Sequence, residues 1–192
     1  MESIDGVLSA KSGYTGGRTK NPTYRSVTGG STGHYEAVEV TYDSSKVTYE
    51  TLLYHFWRNV DPLDPRGQFC DKGSSYRSGI FCNEEQCDAA RSSKKALKSK
   101  YPKWKIATKI VPAKRFYDAE DYHQDYYIKN PSHYAFYKKG CRRAKTLKRR
   151  WGNSEYKKSH AHDKFNAKPE DPVKVRQAAK GFWAVFSALF AP

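Results

Sequence analysis

The stretch His34-Tyr35-Glu36-Ala37-Val38-Glu39-Val40-Thr41-Tyr42-Asp43 decides the reading of the fold. In an extended chain its residues alternate between two faces. His34, Glu36, Val38, Val40 and Tyr42 share one face, and Tyr35, Ala37, Glu39 and Thr41 the other. The first set carries both valines, so it is the expected core face. Glu36 then points into the same apolar layer. A carboxyl group there is desolvated, and desolvation disfavours its charged form. One strand therefore predicts both a sheet packed on one side and a candidate proton donor.

Working outward, residues 3–12 read as a turn at Asp5-Gly6 followed by a short strand, which Gly13-Tyr14-Thr15-Gly16-Gly17 breaks, with a further turn at Asn21-Pro22. Downstream, Thr48 is an N-cap for a helix over 49–59, whose apolar stripe is Leu52, Leu53, Phe56 and Val60. Asp61-Pro62 ends it. Residues 75–82 read as a strand. Asn83 with Gln86 forms a capping-box pattern that opens a helix to about Ser99. Residues 105–111 alternate as a further strand, and 133–150 read as a basic helix. Strands interleaved with helices predict an α+β fold, a two-layer sandwich around a mixed β-sheet. That domain is expected over 1–152. Residues 153–168 read as a polar linker and 172–191 as a terminal amphipathic helix, so the C-terminal extension is expected to be basic, helical or disordered.

Hydrophobic residues make up 38% of the 192 and aromatics 15%, enough for a core that does not involve the whole chain. The net charge of +15 is uneven: residues 138–158 hold ten Lys/Arg against one acid, Glu155. The plain reading is a solvated face; the alternative is a surface for a polyanion or nucleic acid. No run approaches the ~18 apolar residues of a membrane span, and no signal peptide is visible, so no membrane partner and a cytoplasmic location, or an organellar one if the native N-terminus is missing, are expected; a monomer is expected as well. The four cysteines, Cys70, Cys82, Cys87 and Cys141, lack the close pairs of a zinc site, so no metal is expected. Cys141 lies in Lys-Gly-Cys-Arg-Arg, where cations favour the thiolate. Cys70 precedes Asp71, whose carboxylate should oppose it. Cys82 and Cys87 are expected to be structural.

An ordered series of motifs adds to this reading: Gly13-Tyr14-Thr15-Gly16-Gly17, Asn21-Pro22-Thr23-Tyr24, Thr32-Gly33-His34-Tyr35-Glu36, Asp71-Lys72-Gly73-Ser74-Ser75-Tyr76-Arg77-Ser78, and Phe116-Tyr117-Asp118-Ala119-Glu120-Asp121-Tyr122-His123-Gln124. Over roughly residues 4–152 it closely resembles the peptide methionine sulfoxide reductases of the A type. The resemblance implies reduction of methionine S-sulfoxide, free or in proteins, in the repair of oxidative damage. It implies no organic cofactor and reducing equivalents from thioredoxin. By motif position Glu36 is the proton donor, and Tyr24 and Tyr76 hydrogen-bond the sulfoxide oxygen. Asp71 organises the pocket, His123 and Gln124 line the substrate side, and Cys141 matches a resolving thiol. His34 reads as a strand-start histidine rather than a ligand.

One part of the family pattern is not matched. Its nucleophile lies in an N-terminal Gly-Cys-Phe-Trp motif, whereas no cysteine precedes Cys70 here. The catalytic domain is therefore expected to be N-terminally incomplete. Two expectations stay open: Cys70 serves as a relocated nucleophile, or the chain is an inactive remnant that binds without reducing. Lys180-Gly181-Phe182-Trp183 resembles the unmatched motif with its cysteine left out. A rearranged gene would explain it, but an aromatic stripe on a terminal helix is the favoured reading.

Overall fold

The structure, a computed structural model, describes residues 1–161 and 179–185. Strand β1 (Val7–Thr15) pairs antiparallel with β2 (Tyr35–Asp43), the two linked by a loop that holds the short helix α1 (Tyr24–Thr28). Helix α2 (Tyr49–Asn59) follows, then the hairpin β3 (Gly67–Gln68) and β4 (Asp71–Lys72). A 3-10 turn over Ser74–Tyr76 leads into β5 (Gly79–Cys82) and helix α3 (Glu84–Lys100). Then come β6 (Lys109–Pro112), β7 (Tyr117–Asp118) and the helices α4 (Tyr126–Lys129), α5 (Pro131–Gly140), α6 (Arg143–Trp151) and α7 (Asn153–Ser159). The last described strand is β8 (Ala179–Val185).

The main sheet has the order β6-β5-β8-β2-β1-β7. Only β5–β6 is parallel, so the sheet is mixed and the α+β expectation holds. Helix α2 has the expected bounds, with the Thr48 side chain accepting the Thr51 amide. It seats Leu52, Leu53, Phe56 and Trp57 against Val38, Val40, Tyr42 and Ile80 of the sheet. Each such side chain contributes roughly 1.5–3 kcal/mol by leaving water. Helix α3 carries the expected capping box between Asn83 and Gln86. Helices α6 and α7 close this core through Leu147, Trp151 and Tyr156.

Several expectations need correcting. Strand β1 runs through Gly13 to Thr15 instead of breaking there. A Cβ at Gly13 would lie 2.2 Å from the Phe116 ring and 2.4 Å from the Tyr117 carbonyl oxygen, so its bare backbone is what lets β7 pair. Gly13→Ala is expected to destabilise by about 1–3 kcal/mol, the range of overpacking, as measured by urea unfolding. The expected strand over 75–82 begins with the 3-10 turn and becomes extended only at Gly79. The expected basic helix is two helices, broken at Cys141-Arg142, where Arg142 has φ 51°. Residues 153–159 are helix, not linker, because Tyr156 packs on the core and Glu155 pairs with Arg58. Within the segment expected as a terminal helix, 179–185 are strand; the rest of it lies outside the described residues. The reason is tertiary: β2 and β5 offer hydrogen-bonding edges on both sides of this segment, and pairing satisfies all three backbones.

Candidate active site

Glu36 enters the site from β2 and is fully buried. Both its carboxyl oxygens are buried without a well-formed hydrogen bond to any group among the described residues. Burial pushes its pKa from the ordinary 4.5 up to about 8; the Tyr76 phenol opposes this and the Asp71 carboxylate adds to it. At neutral pH Glu36 is therefore mainly a neutral acid with an O–H to give. The proton has a stability consequence. The folded state holds it more tightly than the unfolded chain, so this contribution is full below about 4.5 and is lost as pH rises through about 8. Thermal melts of wild type should fall across that window relative to Glu36→Gln, which lacks the proton; parallel melting curves would refute the raised pKa.

The phenols stand around this acid. Tyr24, at the start of α1, and Tyr76, in the 3-10 turn, are half-buried. Burial raises both pKa values, so both are hydroxyl donors; Tyr76 interacts with both the Tyr24 phenol and the Glu36 carboxyl. The sequence reading overlooked two groups that hold Tyr24. Tyr14 pairs directly across from Glu36 on β1, is fully buried, and donates its hydroxyl to Glu120 Oε2 at 2.7 Å. The Tyr24 amide donates to Glu120 Oε1 at 2.9 Å. Burial would raise the Glu120 pKa, but these hydrogen bonds outweigh it and keep the group a carboxylate. Both residues lie inside quoted motifs, so their position was the available signal. His123 is buried with its ring 4.7 Å from that of Tyr24 and its pKa lowered by burial, so it walls the site as a neutral ring. Gln124 is committed elsewhere: it accepts from the Ser12 amide and donates to the Ser12 and Ala119 carbonyls, bracing β1. His34 likewise accepts from the Gly17 amide and meets the Thr19 carbonyl, a structural use.

Asp71 sits on the β3–β4 hairpin, whose paired Gln68 and Asp71 leave Phe69-Cys70 as a two-residue turn. Gly67 permits the hairpin, since a Cβ there would meet the Asp71 carbonyl oxygen at 2.0 Å. The Asp71 pKa is raised by burial against the opposing effects of Tyr137, Lys72 and Arg143. Tyr137 of α5 donates its hydroxyl to Asp71. Nothing local in the sequence marks Tyr137 for this role; it lies one helical turn before Cys141.

The two cysteines singled out for redox roles are bonded to each other, Cys70 at the hairpin tip with Cys141 at the end of α5. Cys70 is exposed and Cys141 half-buried, so an external thiol has access. The second disulfide, Cys82–Cys87, is 1% and 5% exposed and sealed in the core, in line with the structural role expected of those residues. The basic run folds as α5–α7. Arg150 pairs with Asp61 at 2.8 Å and Arg143 donates to the Asn59 carbonyl, while Lys139, Arg142, Lys145 and Arg149 are exposed. Among the described residues, no group of His, Cys, Asp and Glu is placed to hold a metal ion, and no helix is long and apolar enough to cross a membrane.

The family model described as peptide methionine sulfoxide reductase matches residues 1–155. Peptide methionine sulfoxide reductase MsrA 2 of Caulobacter vibrioides is 49% identical over 152 residues, covering 79% of this chain and 78% of the relative. Peptide methionine sulfoxide reductase MsrA of Bacillus subtilis is 48% identical over 149 residues, covering 77% and 84%. The crystal structure of reduced Mxr1 from Saccharomyces cerevisiae aligns with TM-score 0.63 and 37% identity over 67% of this chain and 74% of that one. On the family match and these identities, the chain belongs to the peptide methionine sulfoxide reductase family of enzymes.

Proposed function

We propose that this chain reduces methionine S-sulfoxide with Glu36 as the acid and Cys70 and Cys141 as the thiol pair. The observation that carries the reading is the accessible Cys70–Cys141 bond beside Asp71, in a site whose buried acid has its pKa raised to about 8. A sulfoxide oxygen leaves only once it is protonated or strongly hydrogen-bonded, which a neutral carboxyl flanked by two phenols can provide.

The Cys70 thiolate attacks the sulfoxide sulfur as Glu36 gives its proton to the oxygen. Oxygen transfer yields methionine and a Cys70 sulfenic acid. The Cys141 thiol then attacks that sulfur and expels the oxygen as water, forming the Cys70–Cys141 disulfide. An external dithiol of the thioredoxin type reduces this bond by exchange and leaves as its own disulfide. Lys139, Arg142 and Arg143 around Cys141 favour its thiolate for the second step. Asp71 and its hydroxyl donor Tyr137 hold the hairpin tip against the site, and His123 packs Tyr24 in place.

Turnover with dithiothreitol on separated sulfoxide epimers tests the reading. Loss of the S epimer alone is expected; no consumption of either would leave a binding remnant as the better description.

A further inference from the structure

Next to the oxygen site lies an open cavity of about 460 Å³ lined by Pro65, Arg66, Lys72, Gly73, Ser74 and Arg77. Three of these six residues are cationic and none is acidic. Its wall is shared with the site: a Cβ on Gly73 would lie 3.6 Å from the Tyr76 ring, and Arg77 is the next residue after Tyr76. The wall is also built. Gly73 donates its amide to the Arg66 carbonyl at 2.9 Å, and the Arg77 Nε donates to the Ser74 carbonyl at 3.0 Å. Lys72 is paired with Asp64 at 2.5 Å, so one positive charge is offset. Arg66 is exposed and forms no ion pair among the described residues; its charge also acts on Asp64, which is already bonded to Lys72, so one carboxylate faces two cations here.

We infer that this cavity is a subsite for an acidic side chain flanking the oxidised methionine, so that the preferred substrate is a peptide with Asp or Glu within two residues of the sulfoxide. The inference rests on the proposed oxygen site and adds the chemistry of what lies beside it. With the sulfoxide oxygen at Tyr76, a neighbouring residue of an extended peptide, at about 3.3 Å per residue, passes the Gly73 wall and meets Arg66 and Arg77. A free methionine sulfoxide leaves the cavity unused.

The test uses the full chain and three labelled peptides that differ only in Glu, Gln or Lys beside one methionine sulfoxide. Binding is read by anisotropy and reduction by kcat/KM. The Glu peptide should exceed the Gln peptide by about five- to tenfold at low ionic strength, with Lys weakest, and the margin should shrink below about twofold in roughly 0.5 M salt. Arg66→Glu should erase the margin. Lys145→Glu, which removes as much positive charge on exposed α6, should keep it; this control separates the cavity from the general attraction of a +15 chain. Equal binding of all three peptides, or an equal loss of margin in both variants, would overturn the subsite. If the peptides bind in the expected order but none is reduced, the reduction reading fails and the subsite stands.

Discussion

Cys70→Ser is expected to abolish methionine formation, with kcat/KM falling on the order of 10³-fold or more, as when other catalytic nucleophiles are removed. Cys141→Ser should behave differently. Its Cys70 can still take the oxygen once, so it should release about one methionine per chain and stop, leaving a sulfenic acid that a dimedone probe labels. That asymmetry follows from placement. Cys70 is at the hairpin tip, adjacent in sequence to Asp71, whereas Cys141 follows α5 among cations. Cys82→Ser should remain active, because the Cys82–Cys87 pair is sealed in the core. If the single turnover belonged to Cys70→Ser and not Cys141→Ser, the two roles would have to be exchanged.

The second large effect is expected at Glu36. Glu36→Gln keeps the shape of the side chain but removes the proton, and should lower turnover by about 10²- to 10⁴-fold, the usual worth of a placed general acid. The pH profile separates this from a packing defect. With a pKa raised to about 8 by burial, the wild-type rate should hold through neutral pH and decline above about 8 as the acid ionises. In Glu36→Gln that descending limb should disappear. A variant with the same limb and a uniformly lower rate would mean that another group supplies the proton.

Much of this site was legible because its determinants are local. Alternation alone placed Glu36 on the inner face of β2, where it is fully buried. Thr48 and Asn83 marked helix starts because capping is decided within one turn of chain. The ordered motifs singled out Tyr24, Tyr76 and Asp71, and all three stand close enough to Glu36 to interact with it. What the sequence hid depends on long-range closure. Cys70 and Cys141 are 71 residues apart, and no local pattern pairs them. The Tyr137–Asp71 bond needs α5 to pack back over the hairpin. The Tyr14–Glu120 pair spans 106 residues and appears only once β7 joins β1.

The segment 179–185 shows the same limit from the other side. Its apolar spacing suits a helix, yet it runs as β8 between β2 and β5. The likeness of Lys180-Gly181-Phe182-Trp183 to the nucleophile motif therefore sits in the sheet, paired with the strand that bears Glu36. The register puts Phe182 opposite Val40, four residues along β2 from Glu36, and the segment contains no thiol. The sulfur of the proposed reaction is instead that of Cys70, which adjoins Asp71, the carboxylate that acts on Glu36, and is bonded to Cys141.

A single-turnover experiment on the full chain addresses this most directly. The protein is reduced, freed of reductant and mixed with excess methionine S-sulfoxide; methionine is counted and the disulfides are mapped by mass spectrometry. The expected result is one methionine per chain, with the Cys70–Cys141 bond regained in equal amount. Absence of methionine, or methionine formed while Cys70 and Cys141 stay reduced, would contradict it.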